Sequence, residues 1–341
     1  MDRRAFIGRS AIGISAMAVG PVLADKKETP LYGHNGRMYR QVKGWGELET
    51  SRFPVKDCHE MVQDSKGRVL LLTNETRNNV LVYNTRGKLV DSWGKEYPGA
   101  HGLTIAGEGK DEFLLITDTE RHEVYKTTLD GELLMTLEFP AGGTLYTKKE
   151  AYVPTETTVA PNGDIFVADG YGQQYILHYS ANGKLKGWFG GRGDGDQFLD
   201  NAHGICVDKR NGDATLLVTD RTRCCFKRFT MAGDLLEIID LAGACVCRPV
   251  IQGDLVYAAV LRSPDMNQAN SGFVTILDKE NRVISNIGGS EPVYNAGKLQ
   301  PMSQQTPLFK HPHDVCVDRD ENIYVAQWAS GNVYPYKFER V

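Results

Sequence analysis

The sequence predicts an all-β fold, a six-bladed β-propeller of four-stranded blades closed by an N-terminal strand. Three observations predict it. One motif recurs: His59-Glu60-Met61-Val62-Gln63-Asp64, His101-Gly102-Leu103-Thr104-Ile105, Ala202-His203-Gly204-Ile205-Cys206-Val207-Asp208 and His313-Asp314-Val315-Cys316-Val317-Asp318, with a weaker copy lacking the histidine at Thr155-Glu156-Thr157-Thr158-Val159. Each copy leads through a polar turn into an apolar run that ends in a short acidic or amide motif, such as Thr73-Asn74, Thr117-Asp118 or Thr219-Asp220. Short strands then follow one another through glycine turns, about four strands in every ~40 residues, the dimension of one propeller blade. Such a unit cannot bury its apolar face without its neighbours, so the repeats form one domain.

The elements follow in order. Residues 25–38 form a polar lead-in, and the propeller spans residues 39–341. Tyr39 to Trp45 alternates and reads as a strand. Blade one contains Met61-Val62, the run Val69 to Asn74, Val80 to Asn84 and Leu89 to Gly94. Blade two runs from His101 to Leu134, and blade three carries Ile165 to Tyr171 and closes at Gly183 to Gly190. Blade four starts at His203 and includes Leu216 to Arg221; blade five is degenerate and starts at Cys247-Arg248-Pro249-Val250. Blade six runs from His313 to Tyr336 and has only three strands. The strand around Val42 can supply its fourth and close the ring, which removes the open sheet edges. The blade starts fall near residues 59, 101, 155, 203, 249 and 313. Long loops at 191–200 and 289–310 precede blades four and six, and loops of this kind often build sites.

Composition narrows the function. A net charge of −4 gives no reason to expect nucleic acid or an anionic membrane as partner. A small molecule or peptide is the expected substrate, with a protein partner as a further expectation. The first 24 residues read as a targeting segment: Arg3-Arg4 precedes a mild apolar stretch, Ala11 to Val19, and Pro21-Val22-Leu23-Ala24 offers small residues for cleavage. That is a twin-arginine signal pattern, and it predicts export to the periplasm or beyond, with no membrane span retained. Of the seven cysteines, Cys224-Cys225 and Cys245-Val246-Cys247 are the disulfide candidates; Cys206 and Cys316 read as buried apolar residues.

The histidines carry the chemistry. The first strand of each blade runs along the central channel, so equivalent repeat positions form a ring. His59, His101, His203 and His313 share one position and should converge there. A lone histidine at such a place is ordinarily a hydrogen-bonded core residue. Four in register point to zinc, or another divalent transition metal such as iron. Strand alternation turns Asp314 away from His313, toward the blade interior, where a buried carboxylate needs a partner or a cation such as Ca²⁺. After the second strand, Asp169-Gly170-Tyr171 and Asp220-Arg221 break the repeat. The aspartates there bond turn amides. Tyr171 and Arg221 project toward the channel mouth, the first as a candidate base and the second as a carboxylate fork.

These residues resemble the NHL-repeat propellers, and within them the lyase domain of the peptidylglycine α-amidating enzymes, peptidyl-α-hydroxyglycine α-amidating lyase. The resemblance covers roughly residues 50–340 and rests on His101-Gly102-Leu103, Asp169-Gly170-Tyr171, His203-Gly204, Asp220-Arg221 and His313-Asp314. It implies a catalytic zinc on His101, His203 and His313; His59 is an extra ring histidine where the family carries a small residue, and a candidate fourth ligand. It implies a structural calcium on Asp314 and the backbone carbonyls of Leu103 and Met61. Tyr171 becomes the catalytic residue and Arg221 the substrate-binding arginine. A second substrate arginine of the family falls near Asn74, with Arg77 the nearest arginine. Gly172 stands where the animal enzymes carry a disulfide cysteine. The implied activity is metal-dependent cleavage of a carbinolamide C–N bond, giving an amide and glyoxylate. The alternative is a non-catalytic propeller that binds a protein or glycan through its loop face and holds a structural metal. A calcium-dependent lactonase-like hydrolase is a third class; the histidine-rich ring counts against it.

Overall fold

Six antiparallel sheets stand in a ring, each lending its first strand to the central channel. The structure is a computed structural model and describes residues 29–137, 139–141 and 145–341. The expected twin-arginine segment lies outside them. Blade one is Cys58–Gln63, Val69–Thr73, Val80–Tyr83 and Leu89–Trp93; blade two is Ala100–Ala106, Phe113–Asp118, Glu123–Thr128 and Leu133–Leu137. Blade three is Glu156–Val159, Ile165–Ala168, Tyr175–Tyr179 and Leu185–Gly190; blade four is Ala202–Asp208, Thr215–Asp220, Cys225–Thr230 and Leu235–Asp240. Blade five is Cys245–Gln252, Leu255–Arg262, Phe273–Leu277 and Val283–Ile287. Blade six is Pro312–Val317, Ile323–Gln327 and Tyr336–Arg340. Among the described residues, no helix is long and apolar enough to cross a membrane.

The N-terminal strand closes the ring as expected. Arg37–Val42 pairs antiparallel with Tyr336–Arg340, with Gln41 opposite Phe338. The segment read as a polar lead-in is itself built into the sheet, because Leu31–His34 pairs with Arg37–Val42 and gives blade six a fifth strand. The core is likewise divided among the blades. Six apolar clusters each fill one blade-to-blade interface; Phe166, Ile176, Ile205 and Phe229, for example, join blades three and four. Burying each such side chain contributes about 1.5–3 kcal/mol, and no blade can collect this without both neighbours. The disulfide takes one cysteine from each candidate pair, Cys224 and Cys245, and staples blade four to blade five. Cys206, half-buried, and Cys316, buried, are free thiols.

The aspartates after the second strands hold the turns. Asp118 accepts from the amides of Gly99, Glu120 and Arg121, and Asp169 from those of Val153 and Gln173 and from the Tyr146 hydroxyl. Gly172 in this turn has no room for a side chain, since a Cβ there would lie 2.0 Å from Asp169 Oδ1. Loop 191–200 braces the same turn, with Arg192 Nη2 donating to Gly172 O at 2.9 Å. Tyr171 is thereby presented from a fixed platform.

Candidate metal centre

The histidines face the channel because each innermost strand is bulged beside them. The pairing register slips by one residue between Cys58 and Glu60, Ala100 and Leu103, Ala202 and Ile205, and Pro312 and Asp314. A bulge inserts an extra residue and re-aims its side chain. Blade five slips likewise between Val246 and Pro249. One position around the ring therefore reads His59, His101, Thr155, His203, Cys247, His313. The next reads Glu60, Gly102, Glu156, Gly204, Arg248, Asp314.

The four imidazoles of the first layer form one buried cluster. Ring centroids are 5.0 Å apart for His59–His101 and His59–His313, 4.8 Å for His101–His203 and His203–His313, and 4.9 Å for His101–His313. Ligand atoms of His59, His101 and His313 lie within 4.8 Å of one another, as do those of His203, Cys247 and His313. Two rings are anchored through Nδ1, His101 to Thr155 O at 2.8 Å and His313 to His59 O at 3.1 Å. Such bonds fix the tautomer that leaves Nε2 free to ligate, the usual support of a metal-bound histidine. The Nδ1 atoms of His59 and His203 are buried with no partner. Burial keeps the cluster neutral. It pushes His59 down to about 3, with Lys56 adding to the effect, and holds His101, His203 and His313 well below the usual imidazole range, with the neighbouring histidines and Arg221 contributing. Converging neutral imidazoles with unpaired nitrogens are a donor set that suits a divalent transition metal.

Tyr171 caps the cluster. Its hydroxyl lies 3.1 Å from His101 Nε2, 3.2 Å from His203 Nε2 and 3.1 Å from Arg221 Nη2. The residue is 41% exposed, so solvent and substrate can reach it. Arg221 is buried. Burial works against its charge, but Tyr171 and the Cys247 thiol beside it hold its pKa above the ordinary value. Burial pushes the Cys247 thiol up to about 11, with Arg221 opposing. A cavity of about 350 Å³ opens beside His59, His101, Tyr171 and Trp328. A smaller one of about 130 Å³ lies against His313, Tyr171, Arg221, Arg262, Met266 and Trp328.

The structure thus brings His59, His101, His203, His313, Tyr171 and Arg221 together. It does not bring Arg77, which is 61% exposed at the side chain and pairs with Glu75 at 3.1 Å. The second arginine at the site is Arg262, from the end of blade five's second strand. Its Nε is buried without a partner while Nη1 donates to Met266 O at 2.6 Å. Sequence reasoning missed Arg262, Cys247 and Trp328. Trp328 follows Gln327, the blade-six counterpart of Asp169 and Asp220, and so stands where Arg221 does in blade four, whereas Arg262 lies outside any repeat signature. Loop 289–310 lines neither cavity; the turn after Arg262 does so instead.

The second layer corrects the expected placement of Asp314. The bulge offsets the alternation, so Asp314 faces the channel below His313 and accepts from Met61 N at 2.8 Å. The expected calcium ligands do converge, but around the guanidinium of Arg248. Arg248 Nη1 donates to Leu103 O at 2.7 Å, Nη2 to Met61 O at 2.8 Å, and Nε and Nη2 to Asp314 at 2.8 and 2.9 Å. These residues do not fit calcium. Burial pushes Asp314 up to about 6 and Glu60 well above the carboxylate range, with Arg248 opposing in both. A larger cavity, about 760 Å³, lies at the opposite mouth of the channel, beyond Arg248 and away from the histidines.

Fold and site define a six-bladed β-propeller with a histidine-lined channel. Comparison with known proteins narrows the class. The chain is 38% identical over 106 residues to peptidyl-α-hydroxyglycine α-amidating lyase 1 of Drosophila melanogaster, covering 29% of this chain and 18% of that protein. It is 33% identical over 175 residues to amidating lyase 2 of the same fly, covering 49% and 37% of the two chains. It is 30% identical over 158 residues to a probable amidating lyase of Caenorhabditis elegans, covering 45% and 40%. The aligned regions span well under half of each of these relatives. No protein-family model matches the chain. Among solved structures, a gluconolactonase of Xanthomonas campestris superposes with a TM-score of 0.61 at 12% identity, covering 92% and 95% of the two chains. Virginiamycin B lyase of Staphylococcus aureus superposes with a TM-score of 0.53 at 13% identity, covering 85% and 86%. At these identities the structural likeness speaks to the propeller alone. The chain is a six-bladed propeller whose sequence resembles the amidating lyases over part of its length.

Proposed function

We propose that this protein is a metal-dependent lyase that cleaves the C–N bond of an α-hydroxyglycine-type carbinolamide to an amide and glyoxylate. The observation that carries the reading is the Tyr171 hydroxyl, held between two ring histidines and a buried arginine. Zinc or iron on His101, His203 and His313, with His59 alongside, would supply Lewis-acid polarisation of the substrate hydroxyl. The chain's own residues do the rest. Tyr171 accepts the hydroxyl proton as the carbonyl of glyoxylate forms and the C–N bond breaks; the proton ends on the amide nitrogen. The negative charge that the phenol oxygen must carry to act as base is met by Arg221, which donates to it. Arg221 and Arg262 flank the smaller cavity and suit the substrate carboxylate, while Trp328 and Met266 shield it from water. Export through the twin-arginine route belongs to the same reading, supported by Arg3-Arg4 and by the Cys224–Cys245 disulfide, a bond suited to an oxidising compartment.

The test is glyoxylate release from an α-hydroxyglycine-extended peptide by the metal-loaded protein. Tyr171→Phe should lower kcat by about 10²–10⁴-fold with metal content unchanged. If wild-type protein carrying its metal releases no glyoxylate above the uncatalysed rate, the reading is wrong. N-terminal sequencing of the mature protein tests export; a chain that still begins at Met1 in the periplasm would refute signal cleavage.

A further inference from the structure

We propose that Arg248 is a built-in cation at the hub of this propeller, standing where the resemblance places calcium, and that the closed ring is therefore independent of calcium. Every blade takes part. Blade one supplies Met61 O and blade two Leu103 O, both accepting from the guanidinium at 2.8 and 2.7 Å. Blade six supplies both carboxylate oxygens of Asp314. Glu60 of blade one lies 3.2 Å from Nη1, and Glu156, which immediately precedes blade three's first Thr-Thr pair, lies 3.7 Å from it. Blade four contributes by what it lacks. A Cβ on Gly204 would stand 2.3 Å from Arg248 Cα, so only glycine lets blade five bring the arginine this close.

The chemistry of the donors explains the substitution. Two carbonyls and a carboxylate aimed at one point would repel one another with nothing between them, and burial removes water as a remedy. A divalent cation satisfies such a set with oxygen–metal bonds. A guanidinium does so with five N–H groups in a planar fork, tethered to the chain and unable to dissociate. Arg248 directs Nε, Nη1 and Nη2 at this set, and its charge sits among Asp314, Glu60 and Glu156. A calcium ion at the meeting point of Leu103 O, Met61 O and Asp314 would coincide with the guanidinium. This inference is independent of the proposed lyase activity.

The experiment is thermal unfolding of the purified full chain in excess EGTA and in excess calcium, with bound calcium measured by mass spectrometry. Wild type should carry no calcium and show the same Tm in both buffers. Arg248→Ala, which empties the fork but leaves the oxygens, should unfold at lower temperature in EGTA and recover as calcium is added, following mass action. Arg248→Lys keeps a charge that fills the site, so its Tm should fall less and should not respond to calcium. A wild type that retains about one calcium per chain, or whose Tm drops in EGTA, overturns the proposal even if no variant folds. A folded Arg248→Ala protein whose Tm ignores calcium overturns it as well.

Discussion

Two adjacent rings of side chains line the same channel one residue apart, and they are completed in opposite ways. The upper ring, His59, His101, Thr155, His203, Cys247 and His313, converges neutral nitrogens and leaves two of them buried without partners. The lower ring, Glu60, Gly102, Glu156, Gly204, Arg248 and Asp314, carries its own cation on blade five and ties four other blades to it by hydrogen bonds or ion pairs. One repeat can therefore hold a ring finished by the chain beside a ring that suits a ligand. Stability should reside in the lower ring and chemistry in the upper.

The sharpest way to break this contrast is to exchange one residue in each ring. Arg248→Ala strands a buried carboxylate and two carbonyls and should cost about 3–5 kcal/mol in denaturant unfolding, the range for breaking a buried ion pair from one side. His203→Ala should leave metal-free stability far less affected but abolish metal retention and glyoxylate release. Equal stability losses would erase the distinction. Next in size, Gly204→Ala should cost about 1–3 kcal/mol by overpacking against Arg248. Gly187→Ala, in blade three's outer strand with open space around its Cβ direction, is the matched control and should be neutral within about 0.5 kcal/mol.

Acid should act on the upper ring. Its histidines have folded pKa values below the unfolded 6.5, with His59 at about 3. The unfolded chain thus binds more protons than the folded chain once pH falls below about 6.5, and stability rises with pH where that holds. Asp314 and Glu60, raised by burial, act in the opposite sense in this window, so the ring is read from the difference: metal-free wild type should lose more stability than His203→Ala as pH drops from about 6.5 toward 3. The same pH dependence in wild type and His203→Ala would contradict the buried neutral ring. Smallest of all, Arg77→Ala should leave KM and stability unchanged, whereas Arg262→Ala should raise KM; the reverse would return the second substrate arginine to blade one.

Most of the propeller was legible because its signal is periodic. Repeat spacing gave six blades, and the three-stranded sixth blade called for the strand around Val42 that pairs with it. The four histidines were legible for the same reason, being one repeat position. What escaped depended on breaks in period. Alternation sends Asp314 away from the channel, and the bulge at His313 reverses that. Blade five hid its place in both rings because cysteine and arginine replaced the histidine and its follower, and Pro249 blurred the strand pattern. Counting Cys247-Arg248 into the register of His203-Gly204 would have put the arginine among the expected calcium ligands. Arg77 lies near Asn74 in sequence, yet its side chain turns to Glu75 at the surface. Arg262 reaches the site from the end of blade five's second strand, where no motif marks it.

The measurement that tests the two-ring account most directly is elemental analysis by mass spectrometry of wild type and His203→Ala, purified with transition metals and calcium both supplied. The account predicts about one zinc or iron per wild-type chain, lost in the variant, and no calcium in either. Stoichiometric calcium, or a wild type without transition metal, would contradict it.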